Sequence, residues 1–359
     1  MKYLAASLLV LALAAQTAAT AQTTQKFTAA KHNEYGLTYA LPVTHIAVTI
    51  EAKCTVKKAG PYYKYAKKYL GLNNVITADS KQWDITKVSV SSFGVVNQEE
   101  QYLMQFKNGS PVYVMKDEAG LLLSINTENV QAPANPSKAS DLSESVLDNN
   151  NFASVLSGEL IMSESTAKRA EIAAQQIYKI RESRTNFATG EADQMPDGEA
   201  LKVIMDQLNK QEASLMALFV GTTQYATAVE TFDFTPGKEN VTNQVIARIS
   251  DFEGITSAND LSGEPVYLSM KIQDRATIPV DDKGVEKKLP KGAVMYNIPG
   301  KAQITITCDG NRMAQTSVNI AQLGVNFGVD PELFSNKKQA SFAKFDPRTG
   351  AILELGAVE

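Results

Sequence analysis

Nucleophilic hydrolysis of the usual kind needs a base beside the nucleophile, and the chain holds two histidines, His32 and His45. They stand 13 residues apart, His45 on the polar side of an alternating run, and no Gly-x-Ser-x-Gly elbow accompanies them. A catalytic triad is therefore not expected. The same pair fits no zinc spacing, since there is no His-Glu-x-x-His and the cysteines do not cluster. A phosphate-cradling glycine loop and a Rossmann fingerprint are also absent, so no cofactor or metal is expected. Carboxylate chemistry remains open. Glycoside hydrolysis needs two carboxylates and a cleft, but 39 acids offer no local pattern that nominates a pair, and catalytic residues stay unknown. Asp148-Asn149-Asn150-Asn151 is oxygen-rich but lacks the spacing of an EF-hand loop and reads as a solvated run.

Binding is better represented. In residues 60–71, Pro61 and Gly71 bracket a short helix at 61–70. Tyr62, Tyr65, Ala66 and Tyr69 share one face, while Lys64, Lys67 and Lys68 lie largely on the others. An aromatic and basic surface of that kind suits an anionic glycan, a phosphate-bearing envelope polymer or a partner protein. The ordinary alternative is a helix that covers a sheet with its tyrosines, hydroxyls reaching water. Trp83 together with Tyr62 and Tyr65 could stack on sugars, although a lone tryptophan starting a strand belongs more often to a core. Cys54 and Cys308 each sit on the apolar side of an alternating strand. A disulfide between them would close a long loop and stabilise by roughly 3–5 kcal/mol in the entropic view; two independent buried thiols fit equally well.

These residues need elements to hold them. From 163 to 221 the sequence reads as a helical hairpin. Ala170, Ala173, Ala174, Ile177, Ile180 and Phe187 recur at helical spacing before Gly190. Asp197 then serves as an N-cap, Glu199 stands in the first turn, and Leu201, Ile204, Met205, Leu208, Leu215, Met216 and Phe219 form the second stripe up to Gly221. Arg181, Arg184 and Glu212 fall inside those stripes. With the turn near Ala192, Glu212 lies about 13 Å along the axis from the level of Arg181. A direct bridge is then not expected, and the arginines should meet a β-domain or solvent, or hold an anion.

On both sides of the hairpin the pattern has a period of two. Ile46, Val48, Ile50, Ala52, Cys54 and Val56 alternate with polar neighbours. Leu37, Tyr39 and Leu41 suggest a preceding strand stopped by Pro42, and further strands are expected at 83–90, 102–106, 112–115 and 121–125, the last two joined by a turn at 117–120. After the hairpin come strands around Val245, Val266 and Ile304, a tight turn at Asp309-Gly310, another turn at 346–350, and a last strand at 352–355. The expected fold class is α+β, two mainly antiparallel β regions separated by an α-helical hairpin. The expected divisions are a β-rich domain at 22–130, a linker at 131–162 and a second β-rich domain at 222–359.

Residues 1–21 combine an early Lys2, an apolar run from Leu4 to Ala15 and a small-x-small end, the pattern of a secretory signal peptide. No cysteine follows before Cys54, so lipoprotein attachment is not expected, and no later segment is apolar enough to span a bilayer. Losing Lys2 with this leader would take the net charge from −4 to −5. Neither half is strongly basic, which argues against nucleic acid as a partner.

Tyr35-Gly36-Leu37-Thr38-Tyr39-Ala40-Leu41-Pro42, residues 60–71 and Asp346-Pro347-Arg348-Thr349-Gly350-Ala351 resemble, with the leader, an uncharacterised family of exported Bacteroidetes proteins, a domain of unknown function. The resemblance runs over most of the mature chain. It implies an envelope or secreted location and supplies no catalytic residues; with the leader, the expected location is periplasmic or outer-membrane-associated. The expectation is a non-enzymatic envelope module that binds a protein or glycan or acts as a scaffold. The alternative is a carboxylate-dependent hydrolase of polysaccharide or peptidoglycan.

Overall fold

The computed structural model describes residues 23–26, 36–105, 112–128, 130, 158–163, 165–192, 194, 196–336 and 339–358. The expected signal peptide, His32, Phe106, most of the expected linker and the run Asp148-Asn149-Asn150-Asn151 lie outside them. In chain order, the first strands are β1 (Thr23–Lys26), β2 (Leu37–Lys58), β3 (Ser80–Gln105), β4 (Val114–Lys116) and β5 (Leu122–Ile125), with α1 (Ala66–Leu70) between β2 and β3. Three helices follow, α2 (Gly158–Met162), α3 (Thr166–Thr189) and α4 (Gly198–Val220). The chain then builds β6 (Thr222–Phe234), β7 (Val241–Ser250), β8 (Gly254–Ser257), β9 (Glu264–Asp274), β10 (Val294–Cys308) and β11 (Asn311–Val329). It ends with α5 (Glu332–Ser335), β12 (Ser341–Phe345) and β13 (Ile352–Ala357).

The alternation in β2 does what period two requires: Ile46, Val48, Ile50, Ala52 and Cys54 are all buried on one face. The expected stop at Pro42 does not occur. Pro42 falls where the pairing with β3 already shifts, Ala40 opposite Gln101 and Pro42 opposite Val96, so the residue without an N–H sits at a break in the ladder. β3 is likewise one strand of 26 residues, not the separate strands expected at 83–90 and 102–106.

Three antiparallel sheets result, ordered β1-β3-β2-β6, β11-β10-β9-β7-β8 and β13-β12-β5-β4. The α+β class holds, but the hairpin does not part the strands into one region before it and one after. β6, which follows the hairpin, pairs with β2 from Lys58 opposite Thr222 to Ile46 opposite Phe234. β12, near the C-terminus, pairs with β5. The physical reason is that alternation shows which face of a strand is buried and says nothing about which strand fills its edge.

The first two sheets pack face to face. Val48, Ile50 and Ala52 of β2 meet Leu268, Ile304 and Ile306 of the second sheet in one core. A second core lies under the third sheet, where Tyr39, Leu41, Tyr102 and Met104 from the ends of β2 and β3 meet Ile125, Phe334 and Phe345. A third belongs to the helices.

Where β2 passes from the second core to the first, the fully buried Thr44 has its hydroxyl and both backbone groups paired. The Thr44 hydroxyl donates to Arg348 O at 2.8 Å and accepts from Ala321 N at 2.9 Å. The Gln322 side chain accepts from Thr44 N at 3.0 Å and donates to Thr44 O at 2.8 Å and Pro236 O at 3.1 Å. Arg348 belongs to the turn 346–350, whose Gly350 O accepts from Asn297 N at 2.9 Å. Gly94 of β3 faces the same turn, and any side chain there would collide with Pro347 O. Replacing Thr44→Val keeps the shape and removes the hydroxyl, leaving Ala321 N–H and Arg348 C=O without this partner. We expect a loss of about 3 kcal/mol, read as a lower urea midpoint at unchanged m-value.

Candidate functional site

The tyrosines of the basic helix do not cover a sheet; they seat the helical hairpin. The expected helix 61–70 is a tight turn at Tyr63–Tyr65 running into α1, closed by Gly71 in the left-handed conformation. Tyr62 is 4% exposed and meets Phe219 of α4 edge-on at 5.6 Å. Its backbone N donates to Leu218 O at 2.8 Å, an approach that a side chain at Gly60 would block. Tyr65 and Tyr69 stack on each other at 6.1 Å, half-buried, and Tyr178 of α3 donates to Tyr69 O at 2.8 Å. Lys64, Lys67 and Lys68 are exposed, Lys68 lying 4.8 Å from the Tyr69 ring centre. Tyr62 is therefore closed to any ligand, and the aromatic surface is largely spent on packing.

A different place gathers chemistry that sequence patterns did not reveal. At the end of the sandwich where β3 begins, a groove of about 680 Å³ runs between β3 and the turns of the second sheet. Trp83, Cys308 and Met313 belong to its walls, and Leu261, 81% exposed, forms an apolar lip. Asp84, Asp251, Glu264 and Asp309 also line it, and no lysine or arginine does among the described residues. None of the four carboxylates has an ion pair among the described residues. Asp84 accepts from Gln82 Nε2 at 3.0 Å. Beneath them the Trp83 indole N–H is buried with no acceptor among the described residues, and the backbone of Gly254 lies against its ring. The four acids come from a strand start, two turns and another strand start, so no local spacing could have grouped them. The Asp309-Gly310 tight turn, where φ is 48° and 70°, was the one part visible beforehand. Among the described residues no cluster of three His, Cys, Asp or Glu side chains is arranged to hold a metal ion.

Cys54 and Cys308 are free thiols in this structure, both buried in the core between the first two sheets. Burial pushes both thiols above their ordinary pKa, with Lys81 opposing at Cys54 and Asp309 and Glu264 adding at Cys308. Glu230 is a lone carboxyl that burial also raises. It stands opposite Ile50 on the edge strand β6, a charge on the core-facing side that discourages further strands from adding there.

Arg181, Arg184 and Glu212 meet directly, contrary to expectation. Arg181 Nε lies 2.7 Å from Glu212 Oε1 and Arg184 Nη1 2.7 Å from Oε2, while Arg184 Nη1 also donates to Asn209 Oδ1 at 2.8 Å. Two effects close the 13 Å estimated at ~1.5 Å per residue. The connection runs from Gly190 to Asp197, which caps α4 by accepting from Ala200 N at 2.8 Å, so the fold-back is centred later than Ala192. Helical side chains also lean toward the N-terminus, which tilts Arg181 away from the turn and Glu212 toward it. The hydrogen bond from Arg181 holds the Glu212 carboxyl below its ordinary pKa; desolvation opposes this, and both guanidinium charges reinforce it. Between 178 and 214 no described residue is fully buried, so this node ties the stem where apolar packing has run out. A furrow of about 580 Å³ bordered by Lys179 and Lys210 runs along the same stem.

Because the Glu212 pKa is depressed on folding, its contribution is present above the unfolded glutamate value, about 4.3, and is lost as pH falls through the folded value. Glu212→Gln should destabilise by about 1 kcal/mol at pH 7, as for partly exposed pairs. In thermal melts the gap between variant and wild type should close in acid.

No curated protein and no solved structure matches the chain. A family model matches residues 35–353, from the segment that opens β2 to the first residues of β13. On that match the chain belongs to the family described as Domain of unknown function (DUF4831).

Proposed function

We propose that this protein is an exported cell-envelope module that binds another macromolecule without chemistry, and that the acidic groove beside Trp83 is where the partner seats. The observation that carries this reading is four carboxylates lining one groove, with no ion pair to any of them among the described residues. Like charges gathered without compensation work against folding, and such departures from local consistency are expected where a partner is received. The export half of the reading rests on the leader-like residues 1–21. No described helix is long and apolar enough to cross a membrane.

A protein partner fits better than a glycan, because two of the three side chains that would stack on sugars, Tyr62 and Trp83, are 4% exposed each and the third, Tyr65, is half-buried and stacked on Tyr69. The hydrolase alternative needs a carboxyl with a raised pKa facing a second carboxylate across a cleft. Glu230, the carboxyl that burial raises, is not among the groove residues.

A photo-crosslinking side chain at Asn311, an exposed position on the groove, tests the reading in cells that make the full chain. A discrete crosslinked species in the envelope fraction is expected from Asn311 and not from exposed Lys283 in a distant loop. Equal labelling from both positions, or a chain retained in the cytoplasm, would count against it.

A further inference from the structure

We infer that the groove takes an extended polypeptide segment bearing lysine or arginine at alternate positions, added as a strand along the free edge of β3. This deepens the binding reading above and rests on it. Charge gives the first argument. Asp84, Asp251, Glu264 and Asp309 line one groove that no lysine or arginine lines among the described residues, so a cationic occupant would supply counter-charge.

The backbone gives the second. β1 pairs with β3 only from Tyr102 to Gln105, and among the described residues nothing pairs with the outer edge of β3 before that. Gln82 to Ile85 of this edge border the groove. An edge strand presents a row of unpaired N–H and C=O groups, the template that strand addition uses. A register shift at Glu51/Ala52 leaves Thr86 as an extra residue in β3, which bends the edge and ends the template there. Elsewhere the chain protects an edge, as Glu230 does on β6; here the edge runs beside carboxylates that form no ion pair among the described residues.

The third argument is the orphaned donor. Trp83 is 4% exposed, lines the groove, and its indole N–H has no acceptor among the described residues. A buried donor left unmade is costly, and it marks this wall of the groove as one the chain does not fully satisfy by itself. Strand alternation places every second side chain of that segment on one side, which fits cations spaced by two.

Trp83 is the sole tryptophan, so its fluorescence reports on the groove without a label. The mature full chain would be titrated with an octapeptide of alternating lysine and valine, following emission and heat at low and physiological salt. Two further peptides serve as comparisons, one with glutamate in place of lysine and one N-methylated at alternate backbone nitrogens. The inference expects binding of the lysine peptide with a shift in Trp83 emission, and loss of binding on N-methylation. The double variant Asp84→Asn with Glu264→Gln should bind about tenfold more weakly at an unchanged melting temperature, as two exposed ion pairs would give. No binding, equal binding of the glutamate or methylated peptide, or an unaffected double variant would overturn it. Crosslinks at Asn311 without peptide binding would defeat this partner chemistry and leave the groove as a binding place; loss of both would defeat the groove itself.

Discussion

One buried hydroxyl links the three sheets at a single point. Thr44 stands where β2 leaves the core under the third sheet and enters the sandwich, and at such a crossing backbone groups of neighbouring segments lose their regular partners. Its Oγ1 satisfies one group from the turn 346–350 and one from β11, at 2.8 and 2.9 Å. The Gln322 side chain closes the backbone of Thr44 itself and reaches Pro236 O. Each of these groups would cost about 1–3 kcal/mol if buried alone. The turn is itself rigid, because Asp346 is buried and receives Arg348 Nε at 2.9 Å and Nη2 at 3.1 Å. The C-terminal strands are thereby anchored to the first long strand of the chain.

That arrangement separates scaffold from site. From Thr44 to Cys54, opposite Trp83, β2 runs ten residues, roughly 33 Å at about 3.3 Å per residue. The junction and the acidic groove thus lie toward opposite ends of the sandwich, and changes at the groove rim need not disturb the hydrogen bonds that order the sheets. The helical hairpin forms a third region with its own logic. Its base is packed by Tyr62, Leu160, Ile177 and Phe219, and its stem relies on the Arg181–Glu212–Arg184 node. The groove combines charge, an open edge and an unpaired donor, whereas the aromatic helix has its tyrosines engaged in packing and its lysines in water.

Legibility followed the range of the interaction. The buried face of β2, the turns at 117–120 and Asp309-Gly310, the Asp197 cap and the glycine ends of both hairpin helices were readable, because each is set by residues within a few positions. The pairing of β6 with β2 was not, since both candidate edges look alike in a two-residue period. Nor was the continuity of β2 through Pro42, which depends on four residues of the distant partner strand, Asn97 to Glu100, standing against the single Leu41. The arginine–glutamate contact was missed for want of the loop geometry and the lean of the side chains. The groove was invisible because its acids come from separate segments. Two of the segments that carried the family resemblance, 35–42 and 346–351, meet in space: Gly350 packs on Pro42, and Tyr39 accepts from Met295 N at 2.8 Å beside them. The contact between them is part of the structural junction around Thr44.

Native-state hydrogen exchange read by mass spectrometry tests the central claim most directly. If the Thr44 junction unites the sheets, the amides of Ala321, Asn297 and Gly350 should exchange together with the core of β2 through the same slow global opening, while residues 178–214 exchange earlier through opening of the stem. Exchange of 341–357 well ahead of β2, as a separately opening unit, would contradict it.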